Sequence, residues 1–319
     1  MGWTCVVVLL LIGLLAPGEI RAAAARRAPA QSAAVSRVLA AQVKLDRAGF
    51  SSGEIDGHDG VNMRKALRAF QRAQGLAPTG RADAKTWSAL GRAEPDDAVV
   101  PYTISPEDVA GPFVERIPSD LMEQAKLPAL SYISPVEALG EKFHAAPSLL
   151  RTLNPKAAFS SGDTIRVPNV VVDDHARAPK RSTTATRVSV SRATSALTVT
   201  DARGRVIFHA PVSVGSKHDP LPLGHWKVTT VSHNPIFHYN PDLFWDARPE
   251  HAKAQIQPGP NNPVGVVWIG TSREHYGLHG TPAPSRVGHS QTHGCVTMTN
   301  WDALRLAGLV QPGTAVVFE

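Results

Sequence analysis

Cysteine is nearly missing from this chain, with two residues in 319. Cys5 lies in an apolar run at the N-terminus, and Cys295 stands far from it. Once the N-terminal segment is removed, no internal disulfide can form, so a packed core must hold the fold. Aromatic residues are sparse at 6%. No dense Lys/Arg cluster interleaved with aromatics occurs, which argues against a nucleic-acid partner. The apolar run over residues 3–15 falls short of the ~20 residues that a membrane-spanning helix needs. What is present is an ordinary hydrophobic content of 43% and a formal charge of +6, spread diffusely. That charge suits an anionic polymer as neighbour. The length suits two or three domains, at roughly 100–200 residues each, and 26 prolines with 25 glycines predict turns, strands and linkers.

The apolar run is followed by Pro17, Gly18 and four alanines over residues 22–25. That order predicts a secretory signal peptide over residues 1–25, cleaved to leave no membrane span. No Lys or Arg precedes the run, so an uncleaved anchor is the alternative. Either reading places the remainder outside the cytoplasm, in the periplasm or cell envelope. Cys295 is then a lone thiol in an oxidising compartment, a liability unless it is deeply buried or does chemistry.

After a tail over residues 26–33, helical spacing appears in Val35, Val38, Leu39 and Val43, then in Met63, Ala66, Leu67, Phe70 and Ala73. Asp83 caps a third short helix that aligns Trp87 with Leu90. Residues 34–91 are therefore expected to form a small three-helix bundle around one core, with its glycines at positive-φ turns and Phe70 and Trp87 in its interior. The series Gly53-Glu54-Ile55-Asp56-Gly57, Gly60, Ala66-Leu67-Arg68-Ala69-Phe70-Gln71, Gly75-Leu76, Thr79-Gly80 and Asp83 to Trp87 resembles the peptidoglycan-binding domain 1 family. That resemblance implies peptidoglycan as a partner. Residues 91–100 read as a linker. A small α/β spacer is expected over 101–170, with helices around Val136, Leu139 and Phe143 and around Leu149, Leu150 and Leu153, then a strand over 164–168. Its second half, with Leu153-Asn154-Pro155, resembles a LysM glycan-binding module; a packed spacer is the plainer alternative. Residues 171–184 read as a second linker.

From Arg187 the apolar period changes to two. Strands are expected around Val188 and Val190, Leu197 and Val199, and over 206–208, 226–231, 266–269 and 315–318. Asn300 is expected to cap a helix through Ala303, Leu304, Leu306 and Ala307 that stops before Gly308. Residues 185–319 thus form a β-rich domain with a short helix.

In this domain lies Thr292-His293-Gly294-Cys295. The thiolate is the reactive form of cysteine, and a neighbouring imidazole can take the proton and lower the thiol pKa. His293 and His279 are both candidates. Gly294 allows a sharp turn, so the N–H groups of His293, Gly294 and Cys295 could receive a developing oxyanion. The pairs His275/His279 and His289/His293 have the i,i+4 spacing of zinc ligands on a helix, but the crowding glycines and prolines disfavour a helix there, so no metal or cofactor is expected. His218 and His225 read as surface loop.

Residues 259–265, Val267-Trp268-Ile269-Gly270, Tyr276-Gly277-Leu278-His279-Gly280-Thr281, Gly288, Thr292 to Cys295 and Asn300-Trp301-Asp302-Ala303 together resemble the YkuD-type L,D-transpeptidase catalytic domain. The resemblance implies Cys295 as nucleophile, His279 as base and the Gly280 carbonyl as orienter of the imidazole. It also implies attack on a peptidoglycan tetrapeptide stem, a thioester acyl-enzyme, loss of D-alanine and transfer to an amine acceptor. Thr297 stands where the family usually has Arg. Hydrolysis of the same intermediate and a wall-binding protein with an idle catalytic domain are the alternatives.

Overall fold

In a computed structural model the structure describes residues 1–2, 36–91, 95–170 and 185–319. The expected signal peptide, the tail over 26–33 and the linker over 171–184 lie outside the described residues, apart from the first two positions. No helix among the described residues is long and apolar enough to cross a membrane.

Three helices open the fold: α1 (Arg37–Arg47), α2 (Val61–Ala73) and α3 (Ala84–Ala89). Ser36 caps α1 by accepting the Leu39 N–H at 3.1 Å, and Asp83 caps α3 by accepting the Thr86 N–H at 2.9 Å. Gly53 and Gly57 turn the chain between α1 and α2 at φ +78°, a region where only glycine is unstrained. Leu45, Phe50, Met63, Leu67 and Phe70 form the expected core. The bundle is not self-contained, however. The other face of α1, carrying Leu39, Ala40 and Val43, belongs to the core of the next unit. A helix apolar on two faces is buried on both.

That next unit contains β1 (Val99–Thr103), α4 (Leu121–Gln124), α5 (Pro135–Lys142), α6 (Pro147–Leu153) and β2 (Thr164–Pro168). β1 and β2 pair antiparallel from Val99↔Pro168 to Thr103↔Thr164, so the linker expected to reach residue 100 is shorter. Asn154 locks α6 to β2. Its amide donates to the Leu150 and Arg166 carbonyls, both at 2.8 Å, and accepts the Arg166 N–H at 2.6 Å. Between β1 and α5 runs a long insertion holding α4. Leu130 there packs with Tyr239 and Ile256 of the C-terminal domain, and its backbone bonds Pro258 O and Asn261 N at 2.9 Å each.

The C-terminal domain comprises β3 (Arg187–Ser191), β4 (Ala196–Thr200), β5 (Val206–Pro211), β6 (Ser213–Val214), β7 (Gly224–His233), β8 (Phe237–Tyr239), β9 (Ala254–Ile256), β10 (Val267–Thr271), β11 (Gly277–His279), β12 (Val296–Thr297), α7 (Asn300–Leu309) and β13 (Ala315–Phe318). Among the described residues, nine strands form one sheet in the order β5-β4-β3-β13-β7-β10-β11-β12-β6. All the strands expected from alternation are present. The long β7 joins two halves, pairing with β13 through its first residues and with β10 through its last. β8 and β9 form a separate hairpin. α7 lies on the core of Val190, Leu197, Phe208, Ile269 and Phe318 through Ala303, Leu304 and Leu306. Its cap is Thr299, whose hydroxyl accepts the Asp302 N–H at 3.2 Å, and Gly308 falls inside the helix. Asn300, expected as the cap, is instead buried, bonding Val266 N and Pro260 O.

Candidate active site

The site grows from the short parallel pair β11–β12, whose register sets Leu278 against Val296 and His279 against Thr297. His279 and Thr297 are therefore lateral neighbours, with Nε2 3.4 Å from Thr297 Oγ1. Cys295 immediately precedes β12. By strand alternation it shares a sheet face with Thr297. Its Sγ contacts the His275 carbonyl at 3.8 Å and faces the Gly277 N–H. Two residues far apart in sequence thus come to one sheet face.

The imidazole of His279 is held on two sides. Nδ1–H donates to the Gly280 carbonyl at 2.7 Å, which leaves the Nε2 lone pair toward Thr297. The Trp268 indole stacks on the ring, 5.4 Å between centroids and 16° from parallel. Gly277 makes room for that indole, since a Cβ there would meet it at 2.5 Å. Gly280 in turn lies against the buried Asn300 side chain, where a Cβ would collide.

The loop before Cys295 is equally constrained. Gly294 sits at φ +99°, and a Cβ would come 2.5 Å from the Tyr276 ring. Thr292 ties both ends, its N–H to Gly215 O at 3.1 Å and its hydroxyl to Cys295 O at 2.7 Å. Among the described residues, none accepts a hydrogen bond from the N–H groups of His293, Gly294 or Cys295. The His293 side chain is engaged elsewhere: Nε2 bonds Asp246 Oδ1 at 2.8 Å, and the ring packs on Phe244. Of the two candidate bases, His279 lies level with β12, the strand that follows Cys295. The i,i+4 histidine pairs do not share a helix: Gly277–His279 is strand, and residues 289 and 293 lie in loop. His218 is exposed as expected but stacks on Trp245 at 4.2 Å.

Desolvation opposes charge on both Cys295 and His279. It pushes the Cys295 thiol up to about 11, against the Gly277 N–H. It pushes His279 down to about 4, against the Gly280 carbonyl. Both groups rest neutral near pH 7, because desolvation penalises the charged form of each.

Cys295, His279, Thr297 and Trp268 open onto one cavity of about 1200 Å³. Its far wall includes Phe237, Tyr239 and Phe244 of the β8–β9 segment and Asp120 of the spacer. Asp120 caps α4 at Met122 N, 2.8 Å. Its Oδ2 also accepts from Arg248 at 3.0 Å and from His251 Nε2 at 3.2 Å. The His251 Nδ1 thereby accepts the Tyr239 hydroxyl at 2.8 Å. Sequence reasoning missed Asp120, Tyr239 and His251, which carry no motif and are separated by up to 131 positions. It passed over Trp268 as a site residue, although Trp beside Ile269-Gly270 was a signal.

Two stretches of the chain are similar to known families. Residues 185–318 match the family model described as YkuD, the L,D-transpeptidase catalytic domain. Residues 35–90 match one described as "Putative peptidoglycan binding domain". The relative from Bacillus licheniformis named "Putative L,D-transpeptidase YkuD" is 27% identical over 184 residues, 57% of this chain and 91% of that protein. Its namesake from Bacillus subtilis is 25% identical over 186 residues, 58% of this chain and 93% of that protein. Among solved structures, L,D-transpeptidase 3 from Mycobacterium tuberculosis in complex with a faropenem-derived adduct is similar at 17% identity and a TM-score of 0.36, over 50% of this chain and 74% of that one. Residues 185–318 belong to the YkuD family of L,D-transpeptidase catalytic domains, joined in one chain to a peptidoglycan-binding domain over residues 35–90.

Proposed function

We propose that the chain is an exported L,D-transpeptidase that uses Cys295 as its nucleophile on peptidoglycan tetrapeptide stems. The observation that carries this reading is the His279 imidazole, fixed by Gly280 with its Nε2 beside Thr297, on the cavity face that Cys295 shares. In the proposed reaction Sγ attacks the carbonyl at the L-centre of the third stem residue. Its proton passes to His279 Nε2 as the S–C bond forms, since neither group rests charged. The oxyanion is received by the unbonded N–H groups of Gly294 and Cys295, with that of His293 beside them. His279 then protonates the departing amine of D-alanine, leaving a thioester. An amine of a second stem resolves it and makes a 3→3 cross-link. A cavity of about 1200 Å³ is larger than most single-ligand pockets, at ~300–1000 Å³, and suits two peptides at once. Apart from the insertion that carries α4, the β-α-α-β order of β1, α5, α6 and β2 supports the reading of the spacer as a LysM-like unit.

Mass spectrometry after incubation with tetrapeptide muropeptides tests the proposal. Wild type should gain a thioester acyl adduct that Cys295→Ala lacks, and dimers should accumulate. An adduct persisting in Cys295→Ala would move the nucleophile elsewhere, and tripeptide products alone would make the protein a hydrolase.

A further inference from the structure

The helical domain carries a second cavity, of about 630 Å³, remote in sequence from Cys295. It is lined by the buried Met63 and Leu67, the half-buried Trp87, the charged Asp59, and four arginines, Arg37, Arg64, Arg68 and Arg81. Among the described residues, only Arg64 of these four has an acidic partner, Asp59 at 3.1 Å. Part of this convergence works against folding. Arg64 and Arg68 are an i,i+4 like-charge pair on α2, which is destabilising. Arg37 occupies the first turn of α1, where the helix dipole disfavours a cation and no acidic residue offsets it.

Two of the cations are nevertheless packed against neighbours, and the turn that carries a third is fixed. Arg37 lies over the Trp87 ring at 5.4 Å. Arg68 lies across Gly80, where a Cβ would stand 3.1 Å from its guanidinium carbon. The turn bearing Arg81 is clamped by buried Gln71, whose amide bonds Thr79 Oγ1, Arg81 O and Gly80 N. Four guanidinium forks with a single carboxylate, Asp59, among them suit an anion with aliphatic parts.

We infer that this groove binds the carboxylates of a peptidoglycan stem peptide, with its aliphatic side chains against Trp87. The inference rests on the domain's reading as a peptidoglycan binder and names the part of the polymer it grips: the peptide, held by charge, and not the sugar.

The test uses the full chain carrying Cys295→Ala, so that no bond is made or cut, in sedimentation with insoluble peptidoglycan freed of attached polymers. Adding Arg37→Gln and Arg81→Gln should weaken binding about tenfold, while Arg72→Gln, which removes one charge off the groove, should not. On the same material stripped of stem peptides by an amidase, the double variant and its parent should bind alike. Matching melting temperatures would show that both are folded. The groove assignment falls if the double variant sediments like its parent on intact material, or if its deficit persists on stripped glycan. It falls equally if poly(glycerol phosphate) displaces the parent more readily than free tetrapeptide does. Failure of the parent to sediment at all would overturn the reading of the domain itself.

Discussion

At the residue scale, the chemistry depends on protonation states that burial sets. A thiol pushed up to about 11 and an imidazole pushed down to about 4 make a neutral resting pair, unlike the charged pair expected from the motif. Iodoacetamide should therefore label Cys295 slowly at pH 6, with a rate climbing about tenfold per pH unit into the alkaline range. A rate already level at pH 6 would show a preformed thiolate. The acid limb of kcat/KM should fall near pH 4, where His279 protonates and can no longer accept the thiol proton, and not near its ordinary 6.5. Gly294 is constrained twice, by φ +99° and by the Tyr276 ring. Gly294→Ala should lower kcat at least 100-fold, the scale of a lost oxyanion donor, with Cys295 still alkylatable in the folded protein. Near-normal kcat would remove the loop's N–H groups from the mechanism.

At the scale of elements, two short strands and one hairpin decide the site. The parallel register of β11 and β12 places His279 beside the strand that follows Cys295. The β8–β9 hairpin walls the cavity, and the spacer holds that hairpin through Asp120, Arg248 and His251. Asp120→Ala should raise KM for a tetrapeptide donor roughly fivefold by freeing a charge-assisted contact, while the pH of the acid limb stays unchanged. An unaltered KM would leave Asp120 as a helix cap alone. Alternation foretold the long strands, because each buries one face. It could not foretell β11 and β12, at three and two residues, which owe their form to their neighbours and not to their own pattern. The insertion carrying Asp120 was equally opaque, since its apolar residues complete another domain's core.

At the scale of the whole molecule, the three units meet across buried ionisable groups. Asp302 accepts the Ser51 hydroxyl at 2.9 Å, His144 bonds Asp46 at 3.1 Å and stacks on Trp301 at 5.3 Å. Burial, with Asp46 beside it, pushes Asp302 up to about 7. Burial pushes Glu141 up to about 8 and Glu54 up to about 7, with neighbouring carboxylates adding to both. A carboxyl that titrates higher when folded than when unfolded binds the extra proton only in the folded state, so stability falls as pH rises through the folded value. His209 and His279, pushed down to about 4, act the other way, but only below their ordinary 6.5. From pH 6.5 to 8 the carboxyls act alone among these groups, and the melting temperature should decline. Asp302→Asn with Glu141→Gln should flatten that decline; an undiminished slope would place its origin elsewhere. The amino-acid order alone carried the motif around Cys295, the helical and strand periods and the glycines of the turns, because each follows from local chemistry. Folding alone set His279 beside β12, created the desolvation that opposes charge on it and on Cys295, and brought the spacer to the cavity wall. Those properties arise from burial and from contacts between residues distant in the chain, which no local pattern encodes.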